Sequence, residues 1–334
     1  MGSTRRRQFL LAAGAFAAAG WTGADAQKRT YRLGFLAQGQ AIAARKRLAG
    51  ELAARGWKEG ESYTFAIGAT GNDPARWNAV ARRLLDERVD IIVAAGSHMA
   101  LLAKRATTTI PIVMMLSGNP VEAGIVPNLS RPGGNVTGLR TYVDGIWGKY
   151  VELARELLPG LRTLGVLTDY VPPGFAAAEY EYAFGEMGEA ARTLGVALPT
   201  WKVVTDGDLE RALVEIERAP PDALLVSGGP THAQPHNVDR LRNFLLRRKL
   251  PMINDIQGSV FLSAGGVMAY AVSFPEIAAR TASFIDRILK GAQPGDLPIE
   301  QPTKLTLVIN AEAARAIGLV VPQSLLLRAD QVIG

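Results

Sequence analysis

The polar residues able to do chemistry in this chain stand just after short apolar runs. Gly96-Ser97-His98 follows one such run and opens a helical pattern. A helix N-terminus presents N–H groups without intrahelical partners, and a hydroxyl beside them suits a ligand carboxylate. The same serine could instead cap the helix. Gln38 follows an earlier run, Ser117 and Asn119 a later one, and Thr137 lies in Val136-Thr137-Gly138. Ser97 and Thr137 are the expected carboxylate-holding pair. Asp169, Tyr170, Gly229, Asp255 and Tyr270 take the matching places in the second half. Asp169 and Asp255 could receive an ammonium or hydroxyl group, although a loop acid also serves as a cap. Tyr170, Phe261 and Tyr270 could form a flat aromatic wall or simply fill core.

Other chemistries fit less well. There are three histidines, His98, His232 and His236. The last two have a spacing that could hold zinc on a helix, but Pro235 stands between them and no third ligand is near, so a loop is expected. No metal and no cofactor are expected. Arg131-Pro132-Gly133-Gly134 lacks the phosphate-loop pattern, and no dinucleotide fingerprint follows the first strand. An exported α/β hydrolase would need a nucleophile elbow, and neither Gly96-Ser97-His98 nor Gly258-Ser259 supplies one. The chain has no cysteine, which excludes disulfides, thiolate metal sites, a cysteine nucleophile and a lipoprotein anchor near residue 27.

The elements that position these residues are legible from periodicity. Strands are predicted at 32–36, 62–67, 90–95 and 111–116, with helices at 41–55, 73–87 and 98–105 between them. A second series has strands at 164–168, 197–204, 223–227 and 252–254, and helices at 146–158, 176–194, 209–219 and 237–249. This alternation predicts an α/β fold with two Rossmann-like parallel-sheet lobes. A strand at 265–270, a helix at 275–290, a strand at 304–309 and a helix at 311–317 remain. The economical route sends that first helix back to lobe one and returns the chain to lobe two. Lobe one would be 29–138 plus 274–295 and lobe two 139–273 plus 296–334. Three crossings would then form a hinge beside a cleft, and ligands of open α/β sheets bind beyond the strands' carboxyl ends.

The first residues carry an address. Arg5-Arg6-Arg7-Gln8-Phe9-Leu10, a weak apolar stretch to Gly20 and Ala24-Asp25-Ala26 read as a signal peptide, 1–26, cleaved before Gln27. Arg6-Arg7-x-Phe9-Leu10 is a twin-arginine pattern, with an ordinary secretory signal as the alternative. The expected location is the periplasm, with no membrane insertion after cleavage, since no later run is apolar enough to span a bilayer. The net charge of +6 is spread along the chain. The densest basic cluster of the remainder, Arg247-Arg248-Lys249, falls at a helix end and not in a nucleic-acid patch.

Several segments carry a family likeness: Gly56-Trp57-x-x-Gly60-Glu61, Thr109-Ile110-Pro111-Ile112-Val113 and Leu129-Ser130-Arg131-Pro132-Gly133-Gly134-Asn135-Val136-Thr137-Gly138. Gly265-Gly266-Val267-Met268-x-Tyr270, Arg287-Ile288-Leu289-Lys290-Gly291-Ala292, Leu297-Pro298-Ile299-Glu300-Gln301-Pro302-Thr303-Lys304 and Leu307-Val308-Ile309-Asn310 continue it. In order and spacing the chain resembles the ABC-transporter substrate-binding family with a type I periplasmic-binding-protein fold. The resemblance implies a monomeric, non-catalytic protein that closes two lobes on a small molecule and docks on an inner-membrane permease. It implies an aromatic amino acid or aromatic carboxylate as ligand; a ligand-presenting sensor is the alternative role. Gly118-Asn119-Pro120 and Thr168-Asp169-Tyr170-Val171-Pro172 depart from the family's usual residues, both at strand ends.

Overall fold

The computed structural model describes residues 29–38, 42–70, 74–169, 177–227, 229, 231–255 and 260–334. The expected signal, the first residue of the helix expected at 73–87 and Tyr170 lie outside the described residues.

The first half alternates β1 (Tyr31–Ala37), α1 (Ile42–Ala53), β2 (Tyr63–Ala69), α2 (Trp77–Asp86), β3 (Ile91–Ala95), α3 (Ser97–Ala106), β4 (Ile112–Ser117) and β5 (Val136–Arg140). Its sheet runs in the order β2-β1-β3-β4-β5, parallel throughout. The central strand β3 is Ile-Ile-Val-Ala-Ala and buried along its length, as a parallel strand covered on both faces should be.

The second half contributes α4 (Ile146–Leu157), β6 (Leu164–Asp169), α5 (Ala177–Leu194), β7 (Thr200–Val203), α6 (Asp206–Arg218) and β8 (Ala223–Ser227). It continues with α7 (Pro235–Arg248), β9 (Met252–Asn254), α8 (Val260–Ser263) and β10 (Met268–Val272). Helix α9 (Phe274–Leu289) follows, then β11 (Leu305–Asn310), α10 (Ala311–Ala316), α11 (Gln323–Arg328) and β12 (Gln331–Ile333). The second sheet has the order β12-β11-β10-β9-β8-β6-β7. It is parallel except for the β10–β11 pair, which is antiparallel. The exception has a topological cause: β11 is reached from the other sheet and needs no crossover helix over its own.

Helix α9 packs on α1, β4 and β5, and its Ile277, Ala278, Ala282, Phe284 and Ile285 join the core of the first sheet. The chain therefore passes between the sheets three times, after Arg140, between Val272 and Phe274, and along 297–304. β5 runs two residues past the lobe limit expected at 138. Leu297 and Ile299 belong to the first unit's cores, past the limit expected at 295.

The crossings are bonded to one another. The Arg140 N–H donates to the Glu300 carbonyl at 2.9 Å, and the Glu300 N–H to the Gly138 carbonyl at 3.1 Å. The Arg140 side chain, itself buried, donates to Gln301 Oε1 at 2.9 Å and to Asp144 at 3.1 Å. Arg280, in α9, reaches Glu276 and Glu300 at 3.0 Å each, tying the second crossing to the third.

Candidate functional site

On the first sheet the carboxyl ends of β3, β4 and β5 are joined by hydroxyls. Gly96, at φ 101, turns the chain from β3 into α3, a conformation favoured by glycine. Gly96 is the N-cap and Ser97 the first helical residue, so Ser97 is not the cap. Its Oγ accepts from the Gly118 N–H at 2.9 Å and lies 3.2 Å from the Ser117 Oγ. The Ser117 carbonyl in turn accepts from the Thr141 hydroxyl at 2.8 Å. Just before Ser117, Leu116 is left-handed at φ 58, where the β4–β5 register shifts. A non-glycine residue there stores strain, which clusters at functional strand ends.

His98 Nε2 donates to the Gln38 side-chain oxygen at 2.6 Å, and its ring stacks on Trp77 at 5.3 Å. Burial pulls the imidazole down to about 4, so it is neutral near pH 7. Asn119 is turned into its own loop, where Oδ1 accepts from the Val121 and Glu122 N–H groups at 3.3 and 3.4 Å.

Thr137 is a correction. β5 continues to Arg140, so Thr137 sits inside the strand and not at its end. Its side chain is fully buried, and its hydroxyl donates to the Leu297 carbonyl at 2.8 Å. It fastens the third crossing and is not placed to hold a carboxylate.

On the second sheet Asp169 ends β6. Its Oδ2 accepts from the N–H groups of Thr231 and His232 at 2.8 and 3.1 Å. A Cβ on Gly229 would lie 2.2 Å from that oxygen, so glycine alone fits. Asp169 thus anchors the loop after β8 instead of standing open to an ammonium group. Its Oδ1 faces the buried His232 Nε2 at 3.7 Å, and His232 Nδ1 donates to the Ser227 carbonyl at 3.0 Å. Burial pushes the Asp169 carboxyl up. The two histidines with zinc-like spacing diverge. His232 is interior, and the exposed His236 bonds Asp206 at 2.9 Å in the first turn of α7, where Pro235 starts the helix. Among the described residues no group of three metal-ligating side chains occurs.

Asp255 follows β9 and accepts from the Ser227 hydroxyl at 2.8 Å. Tyr270, half-buried on β10, meets Tyr150 edge to face at 6.3 Å. Phe261 is core, packed with the α6 and α7 cluster, and forms no wall. Gln38, Ser97, His98 and Ser117 are brought together on one edge, and Asp255 and Tyr270 flank strand ends of the other. Tyr180 on α5 packs against a core of the first unit. Trp77, Thr141, Ser227 and Tyr150 take part without having been singled out. Trp77 and Tyr150 lie inside helices and look like core in a sequence, and Thr141 and Ser227 carry no motif.

Residues 35–333 match the profile of the ABC transporter substrate binding proteins. This chain belongs to that family. It is a family of binding proteins and not of enzymes. A tyrosine-binding protein of Clostridioides difficile strain R20291 is 24% identical over 269 residues, covering 79% of this chain and 73% of the relative. A conserved domain protein of Vibrio cholerae O1 biovar eltor superposes with a TM-score of 0.80 at 26% identity, over 91% of this chain and 99% of that one. An ABC domain from Streptococcus pneumonia in complex with L-Trp gives a TM-score of 0.80 at 23% identity, over 91% and 100%. The two-sheet architecture of this substrate-binding protein is that of type I periplasmic binding proteins. Among the described residues no helix is long and apolar enough to cross a membrane.

Proposed function

We propose that this substrate-binding protein works in the periplasm, captures an aromatic amino acid or aromatic carboxylate between its two sheet units, and delivers it to an inner-membrane ABC permease. The observation that supports the reading is a set of polar groups at strand ends of each sheet, with three crossings between the sheets of which the first and second are each bonded to the third. Ligand contacts to both edges would favour a closed state over an open one. On the first edge, Ser97 and the N–H groups opening α3 take the carboxylate, and neutral His98 adds no charge there. On the second edge, Asp255 takes an ammonium or hydroxyl group and Tyr270 stacks on the ring. The relatives described as binding tyrosine and L-Trp support an aromatic ligand. The charged start, weak apolar run and Ala24-Asp25-Ala26 of the expected signal, twin-arginine or ordinary secretory, support the location.

The test is a thermal-shift and calorimetric panel of the chain from Gln27 onward against L-tryptophan, L-tyrosine, L-phenylalanine, phenylpyruvate and L-leucine. A ligand at one hundred times its Kd should add about 2.7 kcal/mol of stability. No shift with any aromatic compound, or a stronger shift with L-leucine, would sink the aromatic assignment.

A further inference from the structure

Strand β10 changes neighbours along its length. Its parallel register with β9 covers Met268↔Ile253 and Ala269↔Asn254 and stops there. On its other side it runs antiparallel to β11, with Tyr270 opposite Leu307. Leu307 commits both backbone groups to the far side of β11: its N–H donates to Asp330 Oδ2 and its carbonyl accepts from the Asp330 N–H, each at 2.9 Å. Facing backbone groups in an antiparallel pair either both point inward or both point outward. The Tyr270 carbonyl therefore points away from β11, to the side where β9 has already ended.

A side chain fills that place. The Tyr150 hydroxyl donates to the Tyr270 carbonyl at 2.6 Å, and the Tyr150 ring is 1% exposed. It sits on α4, the first helix after the first crossing, while Tyr270 stands shortly before the second. The same two residues meet through their rings. Burial and the neighbouring Asp255 carboxylate hold the phenol well above its usual range, so it keeps its proton and remains a donor.

We propose that Tyr150 is a positioning residue for ligand selectivity: its hydroxyl replaces the missing strand at Tyr270, and its ring, set nearly perpendicular to that of Tyr270, fixes the angle at which Tyr270 meets a flat ligand. This rests on the aromatic reading under Proposed function. The role belongs to the hydroxyl and the ring together, and the hydroxyl can be removed without changing the ring.

The experiment compares the wild-type chain with Tyr150→Phe, Tyr270→Leu and the double variant. Calorimetry measures L-tryptophan and L-leucine; hydrogen exchange on the ligand-free proteins follows residues 268–273. Loss of one buried hydrogen bond should lower the tryptophan-to-leucine affinity ratio of Tyr150→Phe roughly tenfold. Exchange at 268–273 should rise by a similar factor, with exchange in β6 and β8 unchanged. Tyr270→Leu should lose the ratio as well, and the double variant should lose no more than Tyr270→Leu alone, because the two residues act as one unit. A general loss of fold would instead raise exchange in every strand. An unchanged ratio in Tyr150→Phe, or additive losses in the double variant, overturns the proposal. Unchanged exchange at 268–273 overturns the strand-replacing role irrespective of any ligand. Wild-type protein that binds neither amino acid overturns the aromatic reading, and the selectivity claim with it, while the exchange result still decides the strand contact.

Discussion

The imidazole of His98 and the side-chain amide of Gln38 are joined by a 2.6 Å hydrogen bond, and the ring face is covered by Trp77. Burial of the ring in this arrangement favours its neutral form and gives folding a defined pH dependence. The native group titrates at about 4 and the unfolded one near 6.5. Between these values the unfolded state binds more protons, so stability falls as pH drops from about 6.5 to 4. The loss from this one group should approach ~3 kcal/mol. Urea titrations at pH 7, 5.5 and 4.5 on wild type and His98→Asn should show a shallower slope in the variant. Parallel slopes would refute the depressed titration.

Ser97 and Thr137 should part company under mutation. Ser97→Ala removes a proposed ligand contact and the acceptor of the Gly118 N–H, so ligand affinity should fall by about 1–3 kcal/mol and stability by about 1 kcal/mol. Thr137→Val removes the bond to Leu297 and should cost about 1 kcal/mol of stability with ligand affinity kept. Calorimetry on both folded variants decides. Equal effects on binding would return Thr137 to the ligand site.

Gly229 has no room for a methyl group. Gly229→Ala drives a Cβ into Asp169 and should cost about 2–3 kcal/mol, because the carboxylate cannot retreat without leaving the Thr231 and His232 N–H groups unpaired. Guanidinium unfolding measures it. A loss below about 0.5 kcal/mol would mean that the loop after β8 yields.

Export should depend on the arginine pair. Replacing Arg6 and Arg7 by Lys should retain the precursor in the cytoplasm, with cleavage after Ala26 absent on immunoblots of fractionated cells. Unchanged periplasmic accumulation would assign the ordinary secretory route.

Apolar periodicity made most of the two α/β series readable, because a strand such as β3 must be apolar throughout and a helix such as α4 must be striped. Short elements escaped. β12 and α11 offer too few residues for a period, and Leu327 on α11 is well exposed. Helix α6 begins at Asp206, earlier than expected, because Thr205 and Asp208 form a capping box with Asp in place of the commoner Glu. At the candidate site, the sequence located Ser97 and Ser117 through their places at strand ends. It could not foresee that Asp169 turns back to hold the Thr231 loop or that β5 carries Thr137 into the interior. Both depend on partners about sixty to one hundred and sixty residues away.

The inserted helix α9 also dictates the order in which this protein can mature. The first sheet lacks part of its cover until residues 274–289 exist, and the second lacks two strands until 305–310 and 331–333 have been made. Neither unit is a contiguous piece that a ribosome could finish and release before starting the other. The first core closes only when residues 274–299 have emerged and the second only with the last tenth of the chain, so a nascent chain stalled at residue 273 would hold two incomplete halves, and no cut between the sheets would yield an independent fragment.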